Sequence, residues 1–274
     1  MTIISRHEIF DALHQLPAMP QVVREVLASF SDNSAGSVVL ARQIAQDQGL
    51  SARVLRVANS SFYGLSREIG SIQDAITVLG FDSVRSLVLS AGFMRAFSAG
   101  QDGSFDRQSY WLRSFRVATY TESLAKCMSG ARQLAFTAGM FHEVGQLVLS
   151  ICIPKLYAEV LAQASGADLS QIEQSVLGFD HAEIGAEMAR RWNFPPEIEY
   201  AIHYWRDPLH EPFGAVTALV HVAALLESGL RDEALVSRLP ERLLTRLNIS
   251  ADGINACLPP PEQLDAMAKL MLAA

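Results

Sequence analysis

The stretch FTAGMFHEVGQLVLS, residues 136–150, decides how this chain is read. It is apolar almost throughout and predicts one buried helix running on to Pro154, with His142 and Glu143 side by side within it. Neighbouring residues on a helix point about 100° apart, so these two could meet one ion only in a wide groove beside the helix. Ala138, Gly139 and Gly145 leave room for neighbouring helices to approach there. A histidine followed by an acid in such surroundings marks a metal site, either working or lost.

Outward from that stretch, the 274 residues suffice for one large domain or two small ones with a sizeable core. Half the chain is apolar and 19% is charged, the balance of an ordinary globular protein. A net charge of −7 and a pI near 5.5 argue against broad contact with nucleic acid or an anionic membrane. Arg85 and the pair Arg190-Arg191 are too isolated to form a basic patch. Cys127, Cys152 and Cys257 are odd in number and widely spaced, which predicts buried thiols in a reducing compartment rather than disulfides. No run of eighteen apolar residues occurs, and the start, MTIISRHEIF, lacks the basic end and apolar core of a signal peptide. A cytoplasmic location is expected.

Stripes at i, i+3, i+4 and i+7 recur between Gly, Pro and Ser breaks, while period-two alternation is scarce; the expectation is an all-α bundle. Pro17 and Pro20 open a helix carrying Val22, Val23, Val26, Leu27 and Phe30. Ser51 is expected to cap a later helix with Leu50, Val54, Val57 and Ala58 on its stripe, ending in a turn at Asn59 whose amide holds backbone carbonyls. Ser71 with Asp74 makes a capping box, Gly80 the stop, and Asp82 the next cap. Residues 98–104, SAGQDGS, are small and polar and suggest a boundary. Asp106 then starts a long helix with Tyr110, Ser114, Val117, Thr121, Leu124 and Met128 on one stripe and Arg113 off it. Ser170 with Glu173 and Asp180 with Glu183 read as two more capping boxes, and Pro195-Pro196 restarts the chain. The divisions are 1–100, a helical subdomain; 101–228, a second helical subdomain; and 229–274, an extension of short helices packing on the rest.

The blocks LPAMP, IAQDQGLSARVLRVANSSFYG and IGSIQDAITVLGFDSVRSLVL, in that order, resemble the amino-terminal part of HDOD proteins, bacterial signalling modules related to the HD phosphohydrolases. The resemblance covers about residues 10–225 and implies two packed helical subdomains, the second like an HD-domain core. Gln48 departs from it, standing where the family usually has proline after the acid.

His142, His181, His203 and His221 fall one per helix, the way a bundle builds an interior metal or phosphate site. Spacing alone, with no tight pair such as HExxH, leaves each as a helix-end or partly buried histidine. The resemblance is more specific. In catalytic HD proteins a first His, a His-Asp pair and a final Asp hold divalent metal, and the HD-GYP type adds histidines. Carried over, the first His falls at Arg113, the pair at His142-Glu143, the added histidines at His181 and His203, and the final Asp near His221. The HD-GYP motif is missing, since Tyr204-Trp205-Arg206 follows His203.

Arginine carries no lone pair for a metal and repels a cation placed beside it. Glu143 reaches one methylene further than Asp, a displacement far above the roughly 0.2 Å that metal–oxygen distances tolerate. Glu143 is expected to pair with Arg113, the guanidinium replacing the cation. The first reading is therefore a non-catalytic signalling module that binds a partner protein or small effector through a helical groove, with no cofactor, nucleic acid or membrane and with a homo-oligomer left open. The second is a metal-dependent phosphohydrolase or phosphodiesterase, acting for example on a cyclic dinucleotide, with His142, Glu143, His181 and His203 as the divalent-metal ligands.

Overall fold

The computed structural model describes residues 9, 16, 19–31, 37–60, 64–97, 105–128, 132–164, 168–228 and 239–273. Among them there is no strand. Pro17, the expected boundary at 98–104 and most of the amino-terminal stretch lie outside the described residues.

The first half comprises α1 (Gln21–Ser31), α2 (Ser37–Gln46), α3 (Gln48–Ala58), α4 (Ile72–Leu79) and α5 (Phe81–Ala96). α1 buries Val23, Val26 and Leu27, each contributing about 2 kcal/mol by leaving water. Local signals set most of the ends. The Ser71 hydroxyl accepts from Asp74 N at 3.0 Å and donates to the Asp74 carboxylate at 2.8 Å, and Gly80 closes α4 at φ 88°. The Asn59 amide does what its position implies: it donates to Leu55 O and Ile69 O and accepts from Ile69 N, tying the end of α3 to the segment before α4.

Three caps differ from the sequence reading. Asp47, not Ser51, caps α3 by accepting from Leu50 N at 3.1 Å, while the Ser51 hydroxyl turns back to Ile44 O. Gly80, not Asp82, is the N-cap of α5; Asp82 instead pairs with the buried Arg85, whose guanidinium lies over Phe30 and Phe81. Asp168, not Ser170, caps α10, accepting from Ser170 N at 3.0 Å. In the first and third cases an aspartate, four and two residues earlier respectively, starts the helix sooner and with a full charge that a hydroxyl lacks.

The second half comprises α6 (Arg107–Lys126), α7 (Arg132–Phe141), α8 (Val144–Cys152), α9 (Pro154–Gln163), α10 (Leu169–Leu177), α11 (His181–Arg191), α12 (Pro196–Tyr204) and α13 (Ala215–Glu227). α6 is its spine, capped by Asp106 and packed on α7 and α13. The single helix expected from Phe136 to Pro154 is two helices. The chain turns at His142-Glu143, with Glu143 at φ −112° and ψ 20° as the N-cap of α8. Residues 134–152 are long and apolar enough to cross a membrane, yet 89% of that stretch is buried core.

Close crossings bring the second half together. A Cβ on Gly139 would fall 2.8 Å from Ala118 Cα on α6, and one on Gly145 would fall 1.8 Å from His181 O on α11. Only hydrogen fits at either contact.

The extension forms α14 (Glu241–Leu247), which packs on α13, and α15 (Ala251–Cys257) and α16 (Pro261–Ala273), which lie along α6. Leu243, Leu247, Ile254 and Leu264 join a core with Val117, Tyr120 and Leu124, and Arg116 reaches Asp265 at 2.8 Å. α16 also touches α3, so it spans both halves. Cys127, at the end of α6, and Cys257, at the end of α15, form a disulfide, correcting the expectation of three thiols. Separated by 130 residues, the two carry no spacing signal. Cys152 lies outside that disulfide, and burial raises its thiol pKa to about 11.

Candidate functional site

The turn between α7 and α8 exists because His142 supplies its own partner. His142 Nδ1 lies 2.8 Å from Gly139 O, so that nitrogen carries the proton and donates, leaving Nε2 with the lone pair. The ring is buried and sits edge-on to Trp205, centroids 4.9 Å apart. Burial, with Arg113 adding to it against the pull of Glu143, lowers its pKa to about 4 and keeps it neutral.

Glu143 follows, its side chain 12% exposed. Its Oε2 lies 2.6 Å from Arg113 Nη2 and 4.0 Å from His142 Nε2. The Arg113 contact is a charge contact off the N–H axis, since that oxygen has no aligned donor. Burial by itself would raise the Glu143 carboxyl, but Arg113, His142 and His181 together hold it below the usual carboxylate range. The Arg113 side chain stays 40% exposed and reaches Gln146 Oε1 at 3.5 Å.

His181 enters from the start of α11, where Asp180 accepts from Glu183 N at 3.0 Å. Its Nδ1 is 2.6 Å from Glu173 Oε2, and its backbone N is 2.9 Å from the same oxygen. Tyr157 OH donates to Glu173 Oε1 at 2.8 Å. All three side chains are buried. Burial works against the charged ring, yet Glu173 outweighs it and raises the His181 pKa. His181 Nε2 is fully shielded and has no hydrogen-bond partner.

Arg113, His142, Glu143, Trp205, Arg206 and His221 line one groove, a cavity of about 350 Å³. His221 Nδ1 donates to Trp205 O at 2.9 Å, which fixes the ring in that wall. His203 does not line this groove; its ring stacks on Tyr204 with centroids 4.3 Å apart. Of the six residues aligned by resemblance, the fold therefore brings Arg113, His142, Glu143 and His221 to one cavity, places His181 behind it, and leaves His203 to one side.

These residues do not fit a divalent ion. Coordination needs converging lone pairs, and Arg113 puts a permanent cation against Glu143, while Glu227, the other carboxylate lining the groove, is engaged by Arg116 at 3.4 Å. Among the described residues, no three His, Cys, Asp or Glu side chains converge as a ligand set.

The sequence reading used Glu173 only as the far end of a capping box with Ser170, whereas its carboxylate holds His181 and Tyr157, and it did not single out Tyr157. Glu173 carried a signal: it stands four residues after Leu169 and four before Leu177, an acid on an apolar stripe. Tyr157 carried none.

A family model for the HDOD domain matches residues 16–208. The chain is 28% identical to a Shewanella amazonensis protein of solved structure, provisionally called a phosphohydrolase, covering 98% of this chain and 99% of that one at a TM-score of 0.80. A Marinobacter aquaeolei structure, provisionally called a signal transduction protein, is 25% identical, covers 97% of this chain and 65% of that one, and has a TM-score of 0.78. An uncharacterized protein of Treponema pallidum is 22% identical over 250 residues, 89% of this chain and 48% of the relative, so the chain spans about half the length of the curated relative it matches. The match over residues 16–208, on an all-helical architecture shared almost end to end with the Shewanella protein, places this chain in the HDOD family.

Proposed function

We propose that this HDOD chain is a non-catalytic signal-transduction module that binds a partner protein or small effector at the groove lined by Arg113, His142, Glu143, Trp205 and His221. The observation that carries the reading is the Arg113–Glu143 contact at 2.6 Å. A guanidinium there neutralises the carboxylate that a metal would use and cannot be displaced by losing a proton. The name of the Marinobacter relative supports the signalling half of this reading.

The competing reading, a divalent-metal phosphohydrolase, draws on the name of the Shewanella relative. The test is to load purified protein with Mn²⁺ or Fe²⁺, measure bound metal, and assay hydrolysis of cyclic di-GMP and of a generic aryl phosphodiester. The module reading expects neither tight stoichiometric metal nor turnover. Turnover abolished by His142→Ala would overturn it.

A further inference from the structure

A second cavity lies in the first half of the molecule, away from the Arg113 groove and on different helices. It is an open cleft of about 1020 Å³, at the upper limit of the roughly 300–1,000 Å³ of small-ligand sites, and its walls come from α1, α2, α3 and α5. Arg53 on α3 lines it. The side chain is half-buried, makes no hydrogen bond or ion pair, and has Nη1 fully shielded without a partner. A half-buried guanidinium with no ion pair leaves its charge to water or to a ligand. Arg85, the buried arginine of the same half, shows the ordinary solution: it has Asp82, Ser29 O and two aromatic faces.

The carboxylates beside Arg53 are already engaged. Asp47 caps α3 with Oδ1 and takes Arg95 Nη1 on Oδ2 at 3.0 Å. Glu25 accepts from Gln21 Nε2 at 2.8 Å. Burial, with Arg56 and Arg95 adding to it, pushes the Arg53 pKa down, and Asp47 opposes. Arg53 also borders a void of about 20 Å³ beside Ser90, room for one water. A water can satisfy an N–H but cannot balance the charge. On the cavity side the rest of the guanidinium has no ion-pair partner, since the nearby Asp47 is taken by Arg95.

We infer that the cavity between α1, α2, α3 and α5 binds a small phosphate- or carboxylate-bearing molecule, with the Arg53 guanidinium taking its anionic group. The planar fork suits either group. Gln21, Gln43 and Gln46, also at the walls, offer amide donors and acceptors to the uncharged part of such a ligand. The site is separate from the groove proposed for signalling and does not depend on that reading.

The experiment is isothermal titration of the full chain with inorganic pyrophosphate, AMP and citrate, with hydrogen exchange to locate the bound probe. Saturable binding of at least one is expected, weakened about tenfold or more in Arg53→Gln and partly restored in Arg53→Lys. Amides of 43–53 should gain protection. Binding of pyrophosphate and AMP but not citrate makes it a phosphate site, and the reverse a carboxylate site; either supports the inference. Circular dichroism and melting confirm that both variants fold, and Arg53→Lys keeps the test valid if Arg53→Gln does not. No saturable binding by any of the three, undiminished binding by Arg53→Gln, or protection confined to 142–146 would overturn it.

Discussion

The turn at the end of α7 and the start of α11 each present a histidine that is 1% exposed, yet the two rings are pushed in opposite directions. At the turn, His142 Nδ1 meets a neutral carbonyl, Gly139 O, so burial dominates and the pKa drops to about 4. At α11, His181 Nδ1 meets the Glu173 carboxylate, which more than offsets burial, so its pKa rises. Equal burial does not fix the charge of a histidine; the charge of its partner does. The site is thus asymmetric: a neutral ring with a lone pair at the front, and behind it a ring whose carboxylate partner favours the charged form.

Glu173→Ala should break this contrast most severely. It strips partners from Tyr157 OH, His181 Nδ1 and His181 N at once, and loss of one member of a buried ionic pair typically costs about 4 kcal/mol. Urea denaturation measures it. Unchanged stability would mean that the carboxylate does not hold the ring. Gly145→Ala comes next. Its Cβ would fall 1.8 Å from His181 O, a backbone atom that cannot rotate away, so α8 and α11 must separate. A loss of about 3 kcal/mol or more is expected in urea denaturation, and an unchanged midpoint would mean that the two helices do not cross this closely.

How much of this was legible follows from where each signal lives. Caps made within four residues, at Ser71, Asp106 and Asp180, could be read from the chain. Asp47 and Asp168 were passed over because Ser51 and Ser170 offered the same motif a few residues later, and the choice rests on charge. The break at His142-Glu143 has no Gly or Pro at it; it depends on a side-chain bond to Gly139 O and on the approach of Arg113 from another helix. The chemistry of Arg113 was legible because a guanidinium lacks a lone pair anywhere. The Glu173–Tyr157 support was not, because its members come from two helices whose packing no periodicity encodes.

The pH dependence of stability separates the two rings. For His142 the folded pKa is depressed from 6.5 to about 4, so on acidification the unfolded chain takes up the proton first. Its stabilising effect is present above pH 6.5 and falls away between about 6.5 and 4, by about 3 kcal/mol. His181 has the opposite sign: its raised pKa gives stability that is full below its unfolded value of 6.5 and is lost as pH rises through the folded value. Glu143, depressed like His142, acts lower, being lost as pH falls below its unfolded value of 4.5. Urea series from pH 7.5 to 4.5 should therefore show a flatter acid limb in His142→Gln and a flatter alkaline limb in His181→Gln. Identical limbs in the two variants would collapse the distinction.

The smallest expected effect is the one closest to function. Arg113 is 40% exposed, so water screens its contact with Glu143, and Arg113→Gln should cost only about 1 kcal/mol of stability. Its effect on Glu143 should be larger than its effect on the fold. Burial pushes that carboxyl up and Arg113 is the foremost group holding it down, so without the guanidinium its pKa should move upward. An NMR titration of the Glu143 side-chain carbon, wild type against Arg113→Gln, reads this directly. An upward move with little loss of stability would identify Arg113 as the counter-charge of a groove kept free of metal. If the carboxyl does not move, His142 and His181 suffice to hold it, and the argument for Arg113 in place of a cation loses its electrostatic basis.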